Sequence, residues 1–334
     1  MPITGVFFVP SNPNASTALA TVTERLHTAL ADEPIPVGRW AMEHKLMRDT
    51  PSCLPASASQ RPAHPRYMQF LSLSYHSNHG FIYTSPSAGG AQNPNAPQVP
   101  PAGNPVAAAS PPAASDGAGA TAPGASPTGS SMIMTTVPLP SYGTLYQHFV
   151  YACQPFWCHR HTVTVPGGMV YDVGDFRVRI GDVRQTQPSA RVRGTVVEVE
   201  WRGPSLVSSI ASQDSHNRKA SEEEQASDDD ADSGIDLTFS AIEEADIDAE
   251  YAATATLIRE FWARLGIDGA REAILVPDFG KEVKDQLRRL RQQDKRGTQS
   301  AADRGWSWQQ DEDPDPEAGV DLARQFMEIF RFNR

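Results

Sequence analysis

The hydrophobic period of this chain changes several times, and each change marks an element. GVFFVP near the start is a short apolar run closed by Pro10 and predicts a first strand. Leu19, Val22, Leu26 and Leu30 then recur at intervals of three and four, with Ser16 placed as N-cap, which predicts an amphipathic helix over 16–31. Arg39 to Met47 and Tyr67 to His76 read as strands, and Gly80 to Thr84 pairs with the second of them across an SNHG turn. Over 141–153, Leu145, Phe149 and Ala152 share one helical face. From Trp157 onward the period drops to two. Strands are predicted over 157–165, 169–173, 176–183 and 194–202, with a PGG turn at 166–168, as one antiparallel meander.

Alternation inside the meander separates two faces. Phe176, Val178 and Ile180 point one way and Arg177 and Arg179 the other; Val197, Val199 and Trp201 oppose Glu198, Glu200 and Arg202 in the same manner. One continuous buried face is expected, backed by a solvated face on which Arg and Glu pair across strands. Further along, Ile247, Tyr251, Thr254, Ile258, Phe261 and Leu265 define a helix that Gly266 stops. A basic helix over 279–292 carries the stripe Val283, Leu287 and Leu290, a candidate docking face. The last helix, Val320 to Phe332, sets Ala323, Phe326, Met327 and Phe330 against Arg324, Glu328 and Arg331. Strands flanked by helices at both chain ends mean α+β, with an antiparallel sheet strongly curved into a barrel-like form.

Composition divides the 334 residues further. Residues 85–130 hold no aromatic and one charge, Asp116, and cannot bury enough surface to offset their ordering entropy, so they read as a disordered insertion. Residues 203–245, with SEEEQASDDDADSG, read as a second, acidic and disordered insertion, and a third weakly structured stretch lies at 293–317. What remains, 1–84 with 131–202 and 246–334, is one discontinuous domain. Between Glu222 and Glu250 there are 13 acidic residues and no Lys or Arg, so without them the net charge of −11 becomes about +2 and the body is near neutral. No bulk attraction to DNA or an anionic membrane follows, and neither partner is expected. No run of 18 apolar residues and no secretory signal is visible, which predicts a soluble intracellular protein. Three cysteines, Cys53, Cys153 and Cys158, cannot all pair, in keeping with a reducing compartment.

Candidate chemistry is sparse, and no catalytic, cofactor-binding or metal-binding residue is assigned. CQPFWCHRH brings Cys153, Cys158, His159 and His161 together, but CxxxxC followed by HxH is not a structural zinc spacing; core thiols with surface imidazoles sharing one strand face are expected instead. Glu198, Glu200 and Arg202 form ExExR, similar to the ExExK signature of tunnel-type triphosphatases, in which carboxylates hold a divalent metal. Cross-strand pairing with Arg177 and Arg179 accounts for the same charges without catalysis. Ser221 before EEE and Ser227 before DDD have the context that acidophilic kinases prefer.

The unit GDFRVRIGDV at 174–183, PSAR at 188–191 and GTVVEVEW at 194–201 resembles the Mediator complex subunit 20 family, as do GVFFVP with its following helix, LIREFWARLG at 257–266 and ARQFMEIF at 323–330. The Pro/Ala insertion and acidic run are of the kind seen in its filamentous-fungal forms. The resemblance implies a non-enzymatic, nuclear subunit of the coactivator that connects activators to RNA polymerase II, with no cofactor. It also implies a curved, barrel-like sheet, a place in the head module, a heterodimer with subunit 18 and tethering through the C-terminal segment of subunit 8. The runner-up is a metal-dependent phosphohydrolase using Glu198, Glu200 and Arg202.

Overall fold

Strand β1 (Ile3–Pro10) is buried on both faces, and this decides the architecture. Ile3 and Phe7 face one hydrophobic cluster while Val6 and Phe8 face another, so the sheet must carry helices on both sides. The computed structural model describes residues 2–11, 16–55, 57–58, 66–85, 133–154, 156–211, 242–296 and 317–331. Most of the two predicted insertions, the 297–316 part of the third polar stretch, and Ser221 and Ser227 lie outside these residues.

The strands that follow are β2 (Ile35–Asp49), β3 (Tyr67–Leu73), β4 (His79–Thr84), β5 (Ile133–Pro138), β6 (Trp157–Val173), β7 (Phe176–Gln187), β8 (Arg191–Trp201) and the short β9 (Arg271–Ala273). They form one nine-stranded sheet in the order β5-β4-β3-β2-β6-β7-β8-β1-β9, and every pair in it is antiparallel. Among the described residues the edges β5 and β9 do not meet, and the sheet is not strongly curled. The expected barrel is therefore corrected to an open sheet between helical layers. The large antiparallel sheet and the α+β class stand.

The helices are α1 (Leu19–Thr28), the one-turn α2 (Thr50–Cys53), α3 (Leu139–Tyr151), a short α4 at 206–211, α5 (Glu244–Leu265), α6 (Lys281–Arg296) and α7 (Val320–Ile329). On one face Val22 and Leu26 of α1, Ile258 and Leu265 of α5, and Leu287 of α6 close over Val178, Ile180, Val197 and Val199. Helix α5 sits tight against β1. Phe7 and Trp262 stack at 4.2 Å between ring centroids, and a Cβ at Gly5 would come within 2.8 Å of Ile258. Helix α7 fills the other face, where Phe326 and Phe330 join Trp40, Phe81 and Val163. Helix α3 packs separately on Met47, Met68 and Phe70.

Several expectations change. Ala18, not Ser16, is the N-cap of α1, and it makes no side-chain cap. The PGG at 166–168 is no turn: β6 runs straight through it as a 17-residue strand, with register shifts against both neighbours. The reason is Trp40, whose indole occupies the space above Gly168 and donates from Nε1 to the Ile180 carbonyl at 3.1 Å. Past Arg202 the chain still packs, since Val207 and Ile210 of α4 are wholly buried, and α5 starts at Glu244, so residues at both ends of the expected 203–245 insertion belong to the fold. Gly266 stops α5 as expected, in the left-handed conformation at φ 61°. Val283, Leu287 and Leu290 are buried in the first cluster, so the basic helix spends its stripe on its own core and is not a docking face.

Candidate functional site

The meander faces divide as the alternation predicts, with Val178, Ile180, Val197 and Val199 fully buried and Phe176 and Trp201 half-buried at the rim. The opposite face is not solvated. Glu198 is 0% exposed, Arg179 8% and Glu200 9%, because α7 and the β3–β4 connection cover them. Register explains the pairing: Arg179 stands directly across from Glu198 and Arg177 across from Glu200. The Arg179 guanidinium donates to Glu198 at 2.5 Å and to Glu200 at 2.6 Å. Tyr75 donates its phenol to the other oxygen of Glu198, and the Arg179 guanidinium lies over its ring, 4.1 Å from the centroid.

Burial dominates the electrostatics. It pushes Glu198 above the ordinary carboxylate range, against the opposing pull of Arg179 and the Tyr75 hydroxyl. Tyr75 is raised too, first by burial and then by the Glu198 charge. Burial alone would lower Arg179, but Glu198, Tyr75 and Glu200 together hold it above its usual value.

These groups line one wall of a cavity of about 300 Å³ whose other side includes Pro2, Leu322 and Asp321. Asp321 belongs to a second buried set. It accepts from the Gly280 backbone N–H at 3.1 Å and from Arg324 at 2.8 Å, and Arg324 also grips Glu282. Burial, then the Glu282 charge, lifts Asp321 to about 7 despite Arg324 and the Gly280 N–H. Arg324 is 3% exposed, which corrects its placement on the outer face of the last helix.

The other sequence candidates do not converge here. Arg202 turns away to Asp172 at 3.3 Å, and Arg177 binds the same carboxylate at 2.8 and 3.0 Å, holding Asp172 below its usual range. The expected Arg177–Glu pair is replaced by this one. His159 and His161 do not share a face: a register shift between Leu46 and Met47 lies where they pair with β2, and it turns them apart. His159 meets Tyr146 of α3, whereas His161 meets His44 under α7, with ring centroids 6.2 Å apart in both pairs. His161 is 6% exposed, not a surface imidazole. Among the described residues no group of three His, Cys, Asp or Glu side chains could hold a metal ion.

Tyr75 and the Asp321–Arg324–Glu282 set escaped the sequence reading. The sequence held no local signal for the latter: Asp321, Arg324, Gln325 and Glu328 form one polar stripe on an amphipathic helix, the same pattern a solvated face would give.

A family model described as "TATA-binding related factor (TRF) of subunit 20 of Mediator complex" matches residues 1–331. No curated protein matches the chain. A solved structure titled "Structure of PH1819 protein from Pyrococcus Horikoshii OT3" is 8% identical, covers 66% of this chain and 89% of its own, and superposes with a TM-score of 0.25, too slight a likeness to argue from.

Proposed function

We infer that this chain, which belongs to the Mediator subunit 20 family, acts in transcription as a non-enzymatic scaffold in the nucleus, in the head module of the complex. Membership by itself makes it a Mediator subunit, one that interacts with the other subunits and the RNA polymerase II machinery. The finer reading is a heterodimer with subunit 18, tethered through the C-terminal segment of subunit 8. The observation that carries it is the family match over nearly the whole length.

Site geometry supports the same reading. A divalent metal needs carboxylate oxygens free to bind it. Here both oxygens of Glu198 are taken, one by Arg179 and one by Tyr75, and Arg202 stands apart on Asp172. The cluster joins strands β7 and β8 to the Tyr75 connection, which is a structural task. No described helix is long and apolar enough to cross a membrane.

Co-expression with subunit 18 followed by size-exclusion chromatography tests the proposal. A stable one-to-one complex is expected, together with triphosphate hydrolysis at background level in magnesium or manganese. Metal-dependent hydrolysis that disappears in Glu200→Gln, with no complex formed, would replace the scaffold by the phosphohydrolase.

A further inference from the structure

Far from the ionic cluster, helix α2 folds back onto the start of β6 and brings two thiols together. The Thr50 backbone N–H donates to the Phe156 carbonyl at 2.9 Å, which seats the first turn of α2 against the β6 entry. One step further along, Cys158 stands in register with Arg48. The Thr50 hydroxyl lies 3.6 Å from the Cys158 Sγ. Thr50 and Cys53 are three apart in a single helical turn, so their side chains share a face, and Cys53 is carried to the same spot. The electrostatics agree with that placement: Cys53 is raised first by burial and then by the neighbouring Cys158 thiol, while Arg160 and Arg48 pull it back. Both thiols are only half-buried, so a small oxidant can reach them.

We propose that Cys53 and Cys158 form a modification site, a dithiol that closes into an intramolecular disulfide on exposure to a peroxide or a low-molecular-weight disulfide. With hydrogen peroxide the step balances. One thiolate attacks a peroxide oxygen, the O–O bond breaks and hydroxide leaves; the second thiolate attacks the resulting sulfenic sulfur, the S–OH bond breaks and a second hydroxide leaves. Two thiols and one peroxide become one disulfide and two waters. The Arg48 and Arg160 guanidinium groups partly offset the burial that raises Cys53, and the Thr50 hydroxyl can donate to Cys158.

The bond would staple α2 to β6 and close a loop of about 105 residues that contains β3, β4, β5 and α3. Those strands form one end of the sheet, from the β5 edge inward. Oxidation therefore ties an edge module to the centre, and because the loop is long it restricts the unfolded chain strongly. Cys153 is the built-in control, since it sits after α3 and its carbonyl accepts the Phe156 and Trp157 N–H groups at 2.9 and 3.0 Å.

The test treats the full chain with hydrogen peroxide or diamide and counts free thiols before mapping peptides without reduction. The expected outcome is a fall from three free thiols to one, a single Cys53–Cys158 peptide, and a melting temperature higher by about 3–6 °C. Reduction should reverse all three. Cys53→Ser and Cys158→Ser should each lose the gain, and Cys153→Ser should keep it. Three thiols persisting in the folded wild-type protein, a map dominated by Cys153 or by cross-chain bonds, or sulfinic acid in place of the disulfide would each overturn the proposal.

Discussion

Arg179 of β7 and Glu198 of β8 face each other across the strand pair at 2.5 Å, with Glu198 wholly out of solvent. A sheet face expected to be wet thus holds an ion pair under a helix, and the consequence for stability reverses. Exposed pairs contribute little, but removing one partner of a buried pair strands the other charge.

Arg179→Ala should accordingly cost about 3–5 kcal/mol, because it leaves Glu198 and Glu200 facing each other without a cation. Joint replacement of Arg179, Glu198 and Glu200 by apolar residues of similar volume should recover most of that loss. Urea denaturation of the single and triple variants decides it. A single-variant cost under about 1 kcal/mol would mean that the cluster is hydrated in solution.

The interruption in β6 offers an internally controlled comparison. A Cβ at Gly168 would sit 2.1 Å from the Trp40 Nε1 and 2.5 Å from the Ile180 carbonyl, whereas at Gly167 nothing lies within 4 Å. Gly168→Ala should destabilise by about 1–3 kcal/mol by displacing the indole, and Gly167→Ala should be near neutral. Similar melting temperatures for the two variants would contradict the strand-through geometry.

On α6, Leu287→Ala should cost about 2–5 kcal/mol, since Leu287 is fully buried in the main cluster. Arg288→Ala on the outer face, where Arg288 meets Glu244 and Asp285, should leave stability unchanged within error. If Leu287→Ala instead kept full stability and weakened a subunit complex, the stripe would be a docking face after all.

Two buried groups make stability depend on pH in opposite senses. Burial lowers His44 from 6.5 to about 4, so the unfolded chain binds the extra proton, and this contribution is complete above pH 6.5 and is lost as pH falls toward 4. Asp321 is raised from 3.8 to about 7, so here the folded chain holds the proton, and the contribution is complete below pH 3.8 and is lost as pH rises toward 7. Relative to the parent, His44→Gln should flatten the acid-side loss and Asp321→Asn the loss on approaching neutrality. Each effect has an upper bound of about 3–4 kcal/mol. Denaturation midpoints taken between pH 4 and 7.5 check both, and parallel curves for parent and variants would count against the burial of these groups.

Local pattern carried most of the elements. The 3–4 spacing of Leu19, Val22 and Leu26, the alternation through Phe176 to Ile180 and Val197 to Trp201, and Gly266 as a stop each depend on residues near in sequence, and each is found in place. The family was legible too, because its motifs are contiguous. What failed was the meaning of polar residues inside those elements. Glu198 and Arg179 obey the same alternation whether the opposing layer is water or a helix, and only α7, arriving more than a hundred residues later, makes that layer a helix.

The sequence by itself determined which side chains share a strand or helix face, since periods of 2.0 and 3.6 are properties of the backbone. Tertiary structure alone decided which faces are covered. Trp40 over Gly168 turned a predicted turn into a continuous strand, and the shift at Leu46 and Met47 set His159 and His161 on opposite sides. Helices came to lie on both faces of the sheet, whose edges β5 and β9 do not meet among the described residues. Coverage arises from contacts distant in sequence, such as Thr4 with Gln325 at 2.8 Å, and no local pattern encodes their geometry.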